Sequence, residues 1–140
     1  MRKFHHIVVV YFGLMLLLGC QGQRAGMDAY SDQLNRMYEG YLSPDPKLAE
    51  QALLEHETTI RKWEKQGLRG LDYPYIYRVT ESRLLTVYVH TGEEQKAQRT
   101  YQSLTNIMAL NHTSHVWSMQ EVIADVEGAE TNLLVLWRKK

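Results

Sequence analysis

The sequence predicts an all-α fold of about five helices, arranged as two antiparallel helical hairpins followed by a C-terminal capping helix. Apolar residues recur at steps of three and four along most of the chain after residue 26, which is the helical period. Two Ser/Thr-x-x-Glu sequences, at 91–94 and 118–121, have the form of helix-starting capping boxes. Residues 133–137 have the composition of a strand, but no second convincing strand is present to pair with them. We therefore expect helix throughout.

The composition indicates one small folded domain. The chain has 140 residues, of which 44% are hydrophobic and 23% charged, as is usual for a globular protein rather than a disordered one. It carries 16 basic and 16 acidic residues, so no basic excess is available to bind nucleic acid. A chain of this length fits one domain, or one domain and a targeting segment.

Local signals define the first two helices. The first is predicted at about 27–42, and the turn Ser43-Pro44-Asp45-Pro46 ends it. Asp45 is suited to cap the second helix, because its side chain can accept a backbone N–H, and Pro46 then occupies the first turn, where no N–H is needed. Gly67 is placed to end this helix. The segment 67–72 is the longest loop predicted.

The remaining three helices follow the same logic. The third is predicted to start near Pro74, and the capping box 91–94 is predicted to open the fourth, with Thr91 as the cap and Glu94 reaching back to it. A loop is expected at 111–117. The second capping box, 118–121, is predicted to start the fifth helix, which we expect to continue to Trp137.

The N-terminal segment is typical of a secretion signal. Residues 2–6, Arg-Lys-Phe-His-His, form a short basic start, and the uncharged run 7–18 that follows is shorter than the roughly 20 residues needed to span a bilayer. It ends in Leu17-Leu18-Gly19-Cys20, and Cys20 is the only cysteine of the chain. This segment resembles the lipobox of bacterial lipoproteins. The resemblance implies a cleaved signal peptide at 1–19, a lipidated tether at 20–26 and a helical domain at 27–140.

The same resemblance implies a lipid anchor and a location. Cys20 would carry a diacylglycerol thioether on its sulfur and usually an acyl group on its new amino terminus, and two or more chains give stable anchoring. Residue 21 is Gln rather than the Asp that tends to retain lipoproteins at the inner membrane of diderm bacteria. We therefore expect membrane lipid as a partner, and attachment to the outer membrane with the domain facing the periplasm.

Residues 78–111 resemble one tetratricopeptide repeat. Leu84 and Tyr88 occupy motif positions on its first helix, Gly92 lies at the turn, and Ala97 and Tyr101 follow on the second helix. The resemblance implies a tight hairpin in which Ala97 allows the two helices to approach closely. Repeat proteins generally need about three units, so two hairpins and a capping helix are near this limit. A small helical bundle of another kind is the alternative.

If this hairpin packs as the resemblance implies, one face of its first helix is open to a protein partner. That face presents uncharged, small or β-branched side chains: Val79, Ser82, Thr86 and Val89. Tyr73, Tyr75 and Tyr77 cannot all face one core from a helix, so one or two should be exposed, and exposed aromatic residues favour binding surfaces. We expect a partner to bind by apolar contact, with Tyr75 at the rim, and binding to depend weakly on salt.

No motif for catalysis or metal binding emerges. His112 and His115 lie in a predicted loop, with no cysteine or carboxylate in the following five residues, whereas zinc sites need three or four protein ligands. His56-Glu57 begins like a zincin motif, but Ile60 stands where the second histidine is required. No serine has a Gly-x-Ser-x-Gly context. We expect no metal, no cofactor, no small-molecule substrate and no catalytic residues.

These resemblances favour a membrane-anchored, periplasm-facing lipoprotein that acts as a helical docking or assembly factor for another envelope protein. Pilotins of secretion and pilus systems are proteins of this type. Two alternatives stay open at this point. One is a passive structural lipoprotein without a specific client, and the other is a small envelope hydrolase.

Overall fold

The computed structural model describes residues 26–110 and 117–130, and these form five helices with no strand. This confirms the predicted fold class and helix number. The signal segment, Cys20, the two loop histidines His112 and His115, and the apolar stretch 133–137 lie outside the described residues. The helices are α1 (26–41), α2 (Pro46–Lys65), α3 (Tyr73–Thr91), α4 (Glu94–Leu110) and α5 (Met119–Ala129).

The predicted signals at both ends of α2 are confirmed. Asp45 has an extended backbone, and its carboxylate accepts the N–H of Lys47 at 3.0 Å, while Pro46 occupies the first turn. At the other end, Gly67 adopts a left-handed conformation with φ of 71°. The N–H of Leu68 then donates to the carbonyl of Trp63 at 3.0 Å, which satisfies a carbonyl that the helix itself leaves free.

The connection between α3 and α4 differs from the prediction. Thr91 is the last residue of α3, and its hydroxyl donates back to the carbonyl of Val87 at 3.0 Å instead of capping α4 with Glu94. Gly92 is left-handed, with φ of 73°, and the N–H of Glu93 donates to the carbonyl of Tyr88 at 2.9 Å. Glu93, and not Thr91, then occupies the position before α4, where its carbonyl accepts the N–H of Ala97 at 3.0 Å.

The second capping box is confirmed at the start of α5. The Ser118 hydroxyl accepts the N–H of Glu121 at 3.3 Å, and the Glu121 carboxylate accepts the N–H of Ser118 at 2.7 Å. Two of the first-turn donors are therefore satisfied locally. Helix α5 ends at Ala129, because Glu130 after it has a non-helical backbone, so the predicted unbroken helix to Trp137 is wrong at this residue; residues 131–137 lie outside the described residues.

Helix α3 is central to the fold. It packs against α2, α4 and α5, and its Arg83 also contacts Tyr38 of α1. A surface helix buries one apolar stripe, whereas α3 is buried on several sides because helices surround it. The main core cluster combines α3 side chains such as Leu84, Leu85 and Val87 with Leu53 of α2, Leu104 of α4 and side chains of α1 and α5.

The helical hairpins recur at a longer spacing than the tetratricopeptide period. The first helices of the last two units, α3 and α5, begin at residues 73 and 119, which is 46 residues apart. The tetratricopeptide unit has about 34 residues. The resemblance of 78–111 therefore describes one hairpin, with Gly92 at its turn and Ala97 buried, and not an array with the period of that family.

Helices α1 and α2 lie in close contact at Gly40. A Cβ atom at this position would lie 2.6 Å from the Cβ of Ala52, well inside van der Waals contact. Gly128, in α5, has open space where its Cβ would be. These two helical glycines therefore separate the effect of packing from the effect of helix propensity.

We predict that Gly40→Ala lowers the free energy of unfolding and Gly128→Ala does not. Alanine favours a helix by about 1 kcal/mol over glycine in both cases. At Gly40 this gain is opposed by overpacking, which typically costs about 1–3 kcal/mol, because α1 and α2 must separate. Urea unfolding followed by circular dichroism would measure both variants. A more stable Gly40→Ala protein would contradict the close approach.

Candidate docking groove

A groove of about 320 Å³ lies between α3 and α5, with side chains from the end of α4 and Trp117 at its base. Its apolar lining includes Val79 of α3, Leu104 and Met108 of α4, and Val122 and Val126 of α5. The volume is at the lower end of the range for ligand pockets. We refer to it as the α3–α5 groove.

Three of the five residues predicted to bind a partner line this groove together: Tyr75, Val79 and Ser82. Tyr75 is 53% exposed at the rim, whereas Tyr77 is buried, in agreement with the expectation that the three tyrosines divide between core and surface. The helical spacing of these residues placed them on one side of α3.

The other two predicted residues do not belong to the groove. Thr86 is only 1% exposed, and its hydroxyl donates to the carbonyl of Ser82 at 3.0 Å, so it is a core residue. Val89 is 40% exposed but lines a separate shallow depression beside Ala97 and Met119. The prediction of one binding face along α3 is therefore wrong for the C-terminal part of the helix. There α3 is buried on nearly all sides, and residues one or two turns apart have different surroundings.

The groove also carries charges that the sequence analysis did not assign to it. Arg78 and Arg83 lie beside the predicted uncharged stripe on α3, and Asp125 and Glu130 come from α5. The uncharged residues predicted on α3 are therefore flanked by charges from α3 itself and from α5. The two arginines are adjacent to Val79 and Ser82 in the sequence and could have been considered, but nothing local indicated which helix would face them.

Arg83 and Glu130 form an ion pair that closes one end of the groove. The Arg83 Nε–H donates to Glu130 Oε1 at 2.8 Å, and both side chains are largely buried. The Tyr41 hydroxyl donates to the other carboxylate oxygen of Glu130 at 2.5 Å. Arg83 also donates to the hydroxyl of Tyr38, and its guanidinium carbon lies 4.9 Å from the centroid of that ring. This cluster joins α1, α3 and the end of α5.

The chemistry of the cluster indicates a structural role. Burial, and then the hydrogen bond to Glu130, raise the pKa of Tyr41, so its hydroxyl stays a donor. Removing one partner of a buried pair leaves an uncompensated charge and typically costs about 3–5 kcal/mol. Arg83 and Glu130 therefore hold the wall of the groove in place by satisfying each other.

The other two charged residues of the groove, Arg78 and Asp125, are more accessible than the Arg83–Glu130 pair. The guanidinium carbon of Arg78 lies 5.3 Å from the centroid of the Tyr75 ring. Within 26–110 and 117–130, no carboxylate is within ion-pair distance of Arg78. Asp125 is exposed on α5. The rim therefore offers a cation and an aromatic ring on one side and a carboxylate on the other.

The structure also bears on two other features, a metal site and a membrane-spanning helix. Among the described residues, no group of three or more His, Cys, Asp or Glu side chains is placed to hold a metal ion. In the same part of the chain, no helix has both the length and the apolar character needed to cross a membrane. Comparison of the chain with protein-family models, curated proteins and solved structures gives no significant match.

His56 of α2 is a buried titratable group outside the groove. It is 1% exposed, its ring centroid lies 6.1 Å from that of Tyr30, and its Nδ1 has no hydrogen-bond partner among the described groups. Burial, and then the positive charge of Arg83, lower the pKa of His56 to about 4 from its ordinary 6.5. The folded protein therefore holds this imidazole neutral where an unfolded chain would protonate it.

We predict that acid destabilises the fold through His56. As the pH falls from 6.5 towards 4, the unfolded chain binds a proton that the folded chain excludes, so about 2–3 kcal/mol of stability is lost. The variant His56→Leu keeps an apolar side chain there and removes the titration. Urea unfolding at pH 7 and pH 4.5 would compare the two proteins. An equal loss of stability in both would show that His56 does not cause it.

Proposed function

We propose that the mature chain is a lipid-anchored, periplasm-facing docking factor that binds another envelope protein through the α3–α5 groove. The anchoring part of the proposal depends on the sequence: the basic start, the short apolar run and Leu17-Leu18-Gly19-Cys20. The docking part depends on one observation, which is that the groove combines an apolar floor with an exposed aromatic and charged rim.

The groove favours a partner segment of mixed character. An apolar side chain of the partner would fit against Val79, Leu104 and Val122, and an adjacent acidic residue would lie near Arg78. An amphipathic helix provides this arrangement, since it presents apolar anchors every three or four residues with polar residues between them. Binding of this kind needs a rigid groove, and the buried Arg83–Glu130 pair supplies that rigidity.

Lipidation is tested at Cys20. We expect Cys20→Ser to abolish incorporation of a labelled fatty acid and to leave a precursor that retains residues 1–19, because the sulfur that accepts the diacylglycerol is lost. Metabolic labelling and the mass of the isolated chain would measure both effects. Undiminished labelling of the Cys20→Ser protein would disprove the anchor site.

Docking is tested by site-specific photocrosslinking in native membranes. A photoreactive benzoylphenylalanine in place of Tyr75 should give one discrete adduct with the partner, because Tyr75 lies at the groove rim. We expect Val79→Asp to abolish this adduct, since it places an unpaired charge on the apolar floor. Val89→Asp, on the same helix but outside the groove, is the matched control and should retain it.

The outcome also separates docking from a passive role. We expect little change in adduct yield with salt concentration, because the contact is mainly apolar and the Arg83–Glu130 pair is already neutralised, so salt screens mainly the single exposed contact at Arg78. An adduct that is lost in Val89→Asp but kept in Val79→Asp would assign the contact to another surface. Absence of any adduct from position 75 would favour a structural lipoprotein without a client.

A further inference from the structure

The chain enters the folded domain beside the loop between α2 and α3. Gly26 is buried, and a Cβ on it would lie 2.5 Å from the carbonyl oxygen of Arg69 and 3.6 Å from the side chain of Leu68. The start of α1 is therefore fixed against this loop. Residues that precede Gly26 are therefore joined to the described part of the domain at this point.

Three other helix ends lie at the same end of the domain. Ile60 near the end of α2 and Ile76 near the start of α3 form a second core cluster with Tyr77, and Ile107 near the end of α4 packs against them. Tyr30, from the start of α1, belongs to the same cluster. We call this the tether end, comprising residues 26–30, 62–75 and 107–110. The turns at 42–45 and 92–93 form the far end.

The length of the tether limits which surface can face the membrane. The six residues from Gln21 to Gly26 reach about 20 Å when fully extended. Helix α2, which runs from the far end to the tether end, has 20 residues and is therefore about 30 Å long. The tether therefore keeps the tether end within about 20 Å of the bilayer, and it is too short to pass along the domain so that the far end alone faces the membrane.

The exposed side chains of the tether end suit a lipid headgroup region. Met27 is 52% exposed and Leu110 is 80% exposed. Lys65 and Arg69 are exposed and make no ion pair within the described residues. Lysine and arginine can lay their apolar stems on a membrane while their charges reach phosphate.

Acidic groups at this end moderate the attraction to anionic lipid. Asp72 is occupied in capping α3, where it accepts the N–H of Tyr75 at 3.1 Å, and Glu64 accepts the hydroxyl of Tyr77 at 2.6 Å. Asp28 is exposed. The net charge of the tether end would therefore bind the domain only weakly to anionic lipid. Tethering changes this balance, because the anchor has already restricted the domain to the membrane surface and weak contacts then suffice.

We propose that the tether end lies against the bilayer surface, with Met27 and Leu110 at headgroup level and the turns at 42–45 and 92–93 directed away from the membrane. This orientation rests on the proposed lipidation of Cys20. Tyr75, at the rim of the α3–α5 groove, lies at the tether end, so a partner bound in the groove would also be close to the membrane surface.

The test uses the full lipidated protein with single introduced cysteines. The Cys20 sulfur is blocked as a thioether, so a fluorophore attaches only to the new residue. Met27→Cys and Leu110→Cys report on the tether end, Leu42→Cys and Glu94→Cys on the far end, and Thr58→Cys on the exposed side of α2. The probe is a vesicle of phosphatidylethanolamine and phosphatidylglycerol containing a headgroup nitroxide, which quenches nearby fluorophores.

We expect quenching at positions 27 and 110 to be severalfold stronger than at 42, 58 and 94. Adding Leu110→Ser should weaken quenching at position 27, whereas Leu42→Ser, the matched exposed leucine at the far end, should leave it unchanged. Circular dichroism of each variant checks the fold. Equal quenching at all sites, or strongest quenching at 42, 58 or 94, would overturn the orientation.

Failure of the anchor is recognised separately. If Cys20 carries no acyl group by mass spectrometry and the protein does not float with the vesicles, the lipidation and this orientation are both wrong. If the acyl group is present and the quenching is uniform, only the orientation is wrong, and the lipid anchor stands.

Discussion

The fold depends on the burial of α3 among four other helices, and that burial is possible only because the polar groups of α3 are satisfied. Thr80 and Thr86 donate their hydroxyl hydrogens to carbonyls one turn earlier in the same helix. The buried Glu81 accepts the hydroxyl of Ser103 at 2.9 Å. Arg83 pairs with Glu130. A buried polar group without a partner costs about 1–3 kcal/mol, more if charged, so these four arrangements decide whether α3 can be central.

The α3–α5 groove is a consequence of the same arrangement. Helix α5 has 11 residues, too few to be stable in isolation, so its position depends on contacts with the rest of the domain. Val122 joins the main core cluster, Glu127 lies 3.0 Å from His90, and Glu130 pairs with Arg83. The interactions that stabilise the domain are thus also those that form the wall of the proposed binding site.

The many tyrosines of the chain have a common structural use. Tyr77 and Tyr88 of α3 donate their hydroxyl hydrogens to Glu64 and Glu50 of α2, and Tyr41 of α1 does the same to Glu130. In each case burial, and then the hydrogen bond to the glutamate, raise the pKa of the tyrosine. The ring fills the core while the hydroxyl reaches a carboxylate on a neighbouring helix. Tyrosine therefore links helices by two kinds of contact at once.

The sequence by itself determined the helical class and most helix ends, because these depend on hydrogen bonds between residues two to five apart. Asp45 and Pro46, Gly67, and the pair Ser118 and Glu121 were identified for this reason. The prediction that Thr91 caps α4 is wrong, because the Thr91 hydroxyl can either cap a following helix or donate to a carbonyl one turn back. The left-handed Gly92 ends α3 directly after Thr91, so the hydroxyl donates to Val87 instead.

Only the tertiary structure decided which surface is open and what charge it carries. Val79 and Thr86 look alike in the periodicity of α3, yet one lines the groove and the other is buried. Arg83 meets Glu130 across 47 residues of sequence, and no local pattern encodes that pairing. The position of α5 is set by packing over the whole domain, so the groove and its charges follow from contacts that are distant in the chain.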